Sequence, residues 1–244
     1  MPYATFDRDD FTARTGLGPD MQVLNIGPDY ITPIQIAKNL ETTVITAISN
    51  PGYVRGLLAA SDDEISPVVS KYAHLPFKSA SFDIIFSYHA LNNIPPQDVP
   101  GVLVEAGRLL KDNCMIASLV WSLKPTNKAQ SSHMMLLEIL AQLGIIHLHS
   151  FGDISRWLEA AGFDEITMEL VTNHIPVPDG WVHSHITRLD QIISKRAGDL
   201  DLPDISDEME SYRKHAKEYG EELLPCVQFM ARHSAGLSGI DIVL

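Results

Sequence analysis

Six residues, Phe82-Asp83-Ile84-Ile85-Phe86-Ser87, limit what this chain can become. The run is short, apolar, aromatic and β-branched, and a polar turn, Lys78-Ser79-Ala80-Ser81, precedes it. Such a run reads as a strand covered on both faces, the pattern of a parallel sheet flanked by helices. Ahead of it, Leu75-Pro76-Phe77 is apolar but carries a proline. It therefore suits a loop packed onto the domain rather than a central strand. Strand tips in open parallel sheets carry ligand chemistry, which draws attention to Ser87, Tyr88 and His89.

The rest of the chain alternates strand and helix. Residues 1–20 read as an N-terminal arm, and Met21–Ile26 as the first strand. Gly27-Pro28-Asp29 is a turn, and Tyr30–Leu40 a helix. Thr42–Ser49 is the second strand, Tyr53–Ala60 the second helix, and Val68–Ser70 a short third strand. After the fourth strand, Gln97–Leu110 presents one apolar helical face, Met115–Trp121 is a fifth strand, and Ser131–Leu143 and Asp153–Ala161 are helices. Phe163–Leu170 is the sixth strand. This order predicts an α/β fold, Rossmann-like and doubly wound. The region 172–224 breaks the alternation with two helical stretches, Trp181–Arg196 and the heavily charged Ser206–Leu223. Pro225–His233 then returns as a strand, and Gly239–Leu244 could add an edge strand.

Composition sets the partners. The 244 residues are 45% hydrophobic and 20% charged, with a net charge of −13. That supplies a full core and argues against phosphate backbones, so nucleic acid is not expected. Two cysteines, Cys114 and Cys226, make neither a disulfide framework nor a zinc spacing. The histidine pairs at 147/149 and 183/185 lack a carboxylate or cysteine companion in sequence, so no metal is expected. No signal pattern or membrane-length run is visible. A cytoplasmic protein with a small-molecule partner is the expectation, and homo-oligomerisation stays open.

The segment "LPFKSASFDIIFSYHALNNI" resembles the central strand and flanks of class I S-adenosylmethionine (SAM)-dependent methyltransferases. "VLVEAGRLLKDNCMIASLVWS" resembles the family's next helix and strand, with Glu105, Arg108 and Lys111 in place. "FGDISRWLEAAGFDEITMEL" resembles its late helix, turn and strand. The likeness covers roughly residues 20–171. It implies a mostly parallel seven-stranded sheet whose last strand is antiparallel, one domain over 21–244, and a helical insertion at 172–224 that would serve as a cap. It also implies SAM as cofactor and methyl transfer as activity, with Asn25, Gly27, Pro28, Asp29, Ser49, Asn50, His74, Leu75, Ser87 and Tyr88 as the cofactor-binding residues. Asn92, Trp181, His183 and His185 are the candidate substrate residues, and His89, at a strand tip, is the candidate catalytic base.

The chain departs from the family in three places. Of the usual Gly-x-Gly-x-Gly turn only Gly27 remains, in Asn25-Ile26-Gly27-Pro28-Asp29. Ser49 stands where an acidic residue would grip both ribose hydroxyls. Lys71 or Tyr72 stands where an acidic residue would face the adenine. Each lost charged hydrogen bond removes roughly 1.5–3 kcal/mol, so two lower affinity by about two to four powers of ten. A methyltransferase-fold enzyme that no longer uses SAM (a cyclase, lyase or isomerase) and a non-catalytic binding protein of the same fold are the alternatives.

Overall fold

The computed structural model describes residues 11–41, 43–61, 63–171, 174–196 and 204–234. Their elements are β1 (Val23–Ile26), α1 (Ile31–Leu40), β2 (Val44–Ile48), α2 (Val54–Ala60), β3 (Ile65–Val69), β4 (Phe82–Tyr88), α3 (Val99–Leu109), β5 (Leu110–Trp121), α4 (Lys128–Gln142), α5 (Phe151–Ala160), β6 (Phe163–Val171), β7 (Pro176–Val177), α6 (Asp179–Lys195), α7 (Ser206–Tyr219), β8 (Glu221–Glu222) and β9 (Cys226–His233). The seven-stranded sheet runs β3-β2-β1-β4-β5-β9-β6, mostly parallel with the last strands antiparallel, as the sequence predicts. Within the described residues the chain divides into two compact units. A sheet unit spans 11–120, 149–169 and 228–234, and a helical unit spans 121–148, 170–171, 174–196 and 204–227.

In the sheet unit β1 is fully buried between two parallel neighbours. Leu24 faces Ile45 on β2 and Ile85 on β4. Ile84, Ile85 and Phe86 are at most 1% exposed, which accounts for the continuous apolar run. Phe11 packs edge-on against Phe86, with ring centroids 5.4 Å apart, so the N-terminal arm reaches the core. Beneath the strands, Asp83 accepts from the Gln22 N–H at 2.8 Å and pairs with Lys111 at 2.8 Å, fixing where β1, β4 and β5 begin. Burial alone would raise the Asp83 carboxyl, but Lys111 and the Gln22 amide outweigh it and hold it low.

Glu105 sits on the buried side of α3 and is clamped by Arg108 three residues on, at 2.7 Å. The pair is bidentate. Glu105 also accepts the Leu75 N–H at 2.7 Å, and Arg108 donates to the carbonyls of Leu75 and Phe77. One ion pair thus holds the Leu75-Pro76-Phe77 loop down on the helix. Arg108 keeps the Glu105 carboxyl below its ordinary range, burial opposing.

Several boundaries differ from the sequence expectation. The third strand starts at Ile65 rather than Val68 and tolerates Pro67 because it lies on the sheet edge. The fifth strand starts at Leu110 and carries an irregularity in its register with β4, where Asn113 adopts φ 57°. The second helix opens with a 3₁₀ turn at Pro51–Tyr53. The expected helix 206–223 stops at Tyr219, because Gly220 takes φ 74° and ψ −167° and the chain becomes a strand. The tail Gly239–Leu244 lies outside the described residues.

The helical unit has its own core of Leu136, Ile139, Leu189, Met209 and Tyr212, among others. Its two-residue ribbon pairs Pro176 with Glu222 and Val177 with Glu221. Glu221 is fully enclosed. It accepts from the Tyr212 hydroxyl at 2.6 Å and lies 3.2 Å from His185 Nδ1. His133 accepts the Leu224 N–H at 2.9 Å. Burial alone would raise the Glu221 carboxyl, but His185, His133 and the Tyr212 hydroxyl hold it low. Burial pushes His133 down to about 4, with Glu221 opposing.

Two outcomes follow. Arg108→Met leaves Glu105 charged and unpaired, and urea denaturation should show a loss of about 2–3 kcal/mol. Unfolded His133 takes its proton near 6.5 and folded His133 near 4, so its contribution is complete above about 6.5. As pH falls from 6.5 towards 4, stability should decline by up to about 3 kcal/mol. Glu221, held below the ordinary carboxyl value of about 4.5, adds its own decline as pH falls further. His133→Gln keeps an acceptor for the Leu224 N–H without a titrating ring, and urea midpoints across this window should flatten.

Candidate functional site

The tips of β1, β2 and β4 lie side by side. β1 and β4 are adjacent while the strand order reverses around them, which is where open α/β sheets bind ligands. Gly27 closes β1 with φ 120°, and its N–H bonds the Ala47 carbonyl at 3.0 Å. A Cβ at Gly27 would lie 2.6 Å from Ala90 Cβ. This glycine therefore lets the turn approach the chain that leaves β4.

Asn25 is completely buried. Its amide donates to the carbonyls of Gly27 at 3.4 Å and Asp29 at 3.2 Å, which ties the turn together. Asp29 caps α1 by accepting the Thr32 N–H at 3.1 Å. The Oδ1 of Asn25 and the Oγ of Ser87 are buried oxygens without a protein partner. At the tip of β2, Ser49 and Asn50 are exposed, and Asn50 Oδ1 accepts the Gly52 N–H at 2.8 Å. Burial pushes the Tyr72 phenol up, opposed by the Ser49 hydroxyl and backbone beside it. His74 is exposed, and its carbonyl accepts from Ser70 Oγ at 2.6 Å; Leu75 is buried.

His89 follows β4 directly. Its φ is 51°, a left-handed conformation that costs a non-glycine residue about 1 kcal/mol. Two bonds over-determine it. Its N–H donates to the Leu119 carbonyl at 2.9 Å, and its carbonyl accepts from Asn93 Nδ2 at 3.0 Å. The ring stands edge-on to Tyr88 at 4.8 Å. Backbone strain held in place at a strand tip is characteristic of functional positions.

The structure thus brings Asn25, Gly27, Pro28, Asp29, Ser87, Tyr88 and His89 together, with Ser49 and Asn50 on the adjacent strand. Ser87 and Tyr88 are buried, as is Asn92 in the turn beyond. Trp181, His183 and His185 belong to the helical unit. Trp181 and His183 are exposed on α6, and His185 turns towards Glu221. Two positions apart on a helix, His183 and His185 do not share a face. In the other pair, buried His149 Nε2 sits 2.9 Å from the Leu91 carbonyl. Among the described residues no cluster of three metal-ligating side chains occurs. An open groove of about 980 Å³ in the helical unit is lined by none of the predicted site residues. Sequence reading missed Ala90, which makes Gly27 obligatory, and gave Glu105 no role. A lone acid on the apolar face of a helix was the available signal for the latter.

Residues 33–117 match the family model of the methyltransferase domain. A search of curated proteins finds no match. The solved structures similar to this chain include a proposed sarcosine dimethylglycine methyltransferase from Galdieria sulphuraria. It is 19% identical, with a TM-score of 0.59 over 95% of this chain and 86% of that one. Phosphoethanolamine N-methyltransferase 2 from Haemonchus contortus, solved with phosphomonomethylethanolamine and S-adenosylhomocysteine, is 16% identical with a TM-score of 0.62. The match covers 94% of this chain and 53% of that one, so this chain spans about half of that enzyme. The [4+2]-cyclase SpnF is 15% identical, with a TM-score of 0.60 over 96% of this chain and 82% of that one. The fold is that of the class I SAM-dependent methyltransferases, and a methyltransferase-domain match lies within it.

Gly27→Ala should lose about 3 kcal/mol or more in urea denaturation, from left-handed strain together with the Ala90 contact. Ala90→Gly in the same background should recover part of the loss.

Proposed function

We propose that the chain transfers a methyl group from SAM to a small molecule. One observation carries this reading: the tips of β1 and β4 combine a glycine at close approach, the buried unpartnered oxygens of Asn25 and Ser87, and a conformationally strained His89. The matched methyltransferase domain supports it. Asn25, Gly27 and Asp29 would hold the amino-acid end of SAM, and Ser49 and Asn50 would face its ribose. Bound SAM would supply an electrophilic methyl on sulfonium. The protein's part is to position the acceptor and exclude water. His89 is the proposed proton acceptor, with Asn92 as the substrate contact in the sheet unit. A cytoplasmic location fits two cysteines, Cys114 and Cys226, that are not joined in a disulfide. No helix among the described residues is long and apolar enough to cross a membrane.

A second reading, a methyltransferase-fold enzyme without SAM, is favoured by one observation. At the tip of β2 there is no carboxylate, and the Asn50 side chain is already engaged with Gly52. A cyclase of this fold exists in SpnF.

Calorimetry with S-adenosylhomocysteine should separate the two. Methyl transfer predicts saturable binding at or below roughly millimolar concentration, weakened about tenfold by Ser49→Leu. Absence of binding at millimolar ligand would move the assignment to the second reading.

A further inference from the structure

In the helical unit, α7 carries four charges that no other described residue answers. Asp207, Glu210, Lys214 and Lys217 are all exposed. Their spacing of three, four and three residues puts them on one stripe of the helix. The opposite face, with Met209, Tyr212 and Ala216, is buried in the core of the unit. Arg213, just off the stripe, pairs with Asp190 on α6, but none of the four makes an ion pair with another described residue. Glu210 and Lys214 stand four residues apart, where a pair within the helix is available, and do not form it.

Along the stripe the order is acid, acid, base, base. The helix dipole favours Asp207 in the first turn and Lys217 in the last. Its effect falls off within a turn, so it does not account for Glu210 and Lys214 in the middle. The order is, however, self-complementary. When two copies of α7 lie antiparallel across a two-fold axis beside Tyr212, Glu210 faces the partner's Lys214 and Asp207 faces the partner's Lys217. Symmetry repeats both pairs. A parallel arrangement sets like charge against like. Beside the stripe, Ile193, Ile205 and Met209 lie along an open groove, which gives the ridge of a second copy an apolar floor to enter.

We propose that the exposed stripe of α7 is a self-association surface, and that its occupant is the same stripe of a second copy of this chain, antiparallel to it. The contact is small. The helix has 14 residues and is about 21 Å long, which falls short of a standard stable interface. Charge therefore sets the partner and its orientation more than the strength, and the dimer is a weak one. It forms against a net charge of −13, which repels two copies at a distance. The surface is independent of what binds at the strand tips of the sheet unit.

Sedimentation velocity on the full chain, from about 1 to about 300 μM, tests it with two double variants. Lys214→Glu with Lys217→Glu makes the stripe wholly acidic, and Asp207→Lys with Glu210→Lys makes it wholly basic. The native chain should shift towards dimer as concentration rises. Each variant alone should associate about tenfold more weakly or less, and an equimolar mixture of the two should recover the native level. The basic variant separates the stripe from bulk charge. It makes the chain less negative, so if overall repulsion governed, it would associate more than the native chain. A native chain that stays monomeric throughout the range, a variant that associates as the native chain does, or a mixture no better than its components would overturn the proposal. All four positions are exposed, so melting temperatures should stay near the native value. If a double variant melts early, the single variants Lys214→Glu and Glu210→Lys, alone and mixed, repeat the same test with half the change.

Discussion

The sheet unit depends on how closely the tips of β1 and β4 approach. Gly27 and Ala90 meet at a separation that no side chain at position 27 could share. Everything at the site is referred to that contact. It sets the turn that Asn25 ties down and the direction in which His89 leaves β4. Parallel pairing of Asn25 with both Thr46 and Phe86 carries the same register across three strands. A shift of one residue would turn each strand over and expose its apolar face.

Around this centre, charge is used sparingly and locally. Asp83 with Lys111 fixes the start of the central strands, and Glu105 with Arg108 fixes the loop ahead of β4. Both pairs also hold backbone groups, so they act as clips rather than as isolated surface ion pairs, which contribute little. In the helical unit the same device is buried more deeply. Glu221 is shared between the Tyr212 hydroxyl and the His185 ring. Fully buried carboxylates are destabilising unless satisfied this way, and His133 remains neutral beside it.

Much of the fold was legible in the sequence because the strands are buried on both faces and bounded by turn residues. Phe82–Ser87 could be little else, and the return strand near Cys226–His233 followed from the broken alternation before it. The ends were less legible. Apart from Gly220, the composition around Ser206–Tyr219 does not mark where the helix stops, since glutamate suits a helix as well as a ribbon. Gly220 was the cue, and only its conformation decides. At the site, the missing glycines were visible in the letters. What replaced them was not, because Asp29 capping α1, Asn25 tying the turn and Ala90 filling the space beside Gly27 are matters of geometry.

The proposed methyl transfer requires an adenosyl ligand across the tips of β1, β2 and β4. Hydrogen–deuterium exchange on the full chain, with and without saturating S-adenosylhomocysteine, tests it most directly. The account predicts slower exchange confined to the turn after Asn25, the segment from Ser49 to Tyr53, the loop from Lys71 to Leu75 and the turn after Tyr88. Unchanged exchange at all four places, or protection only in the helical unit, would contradict it.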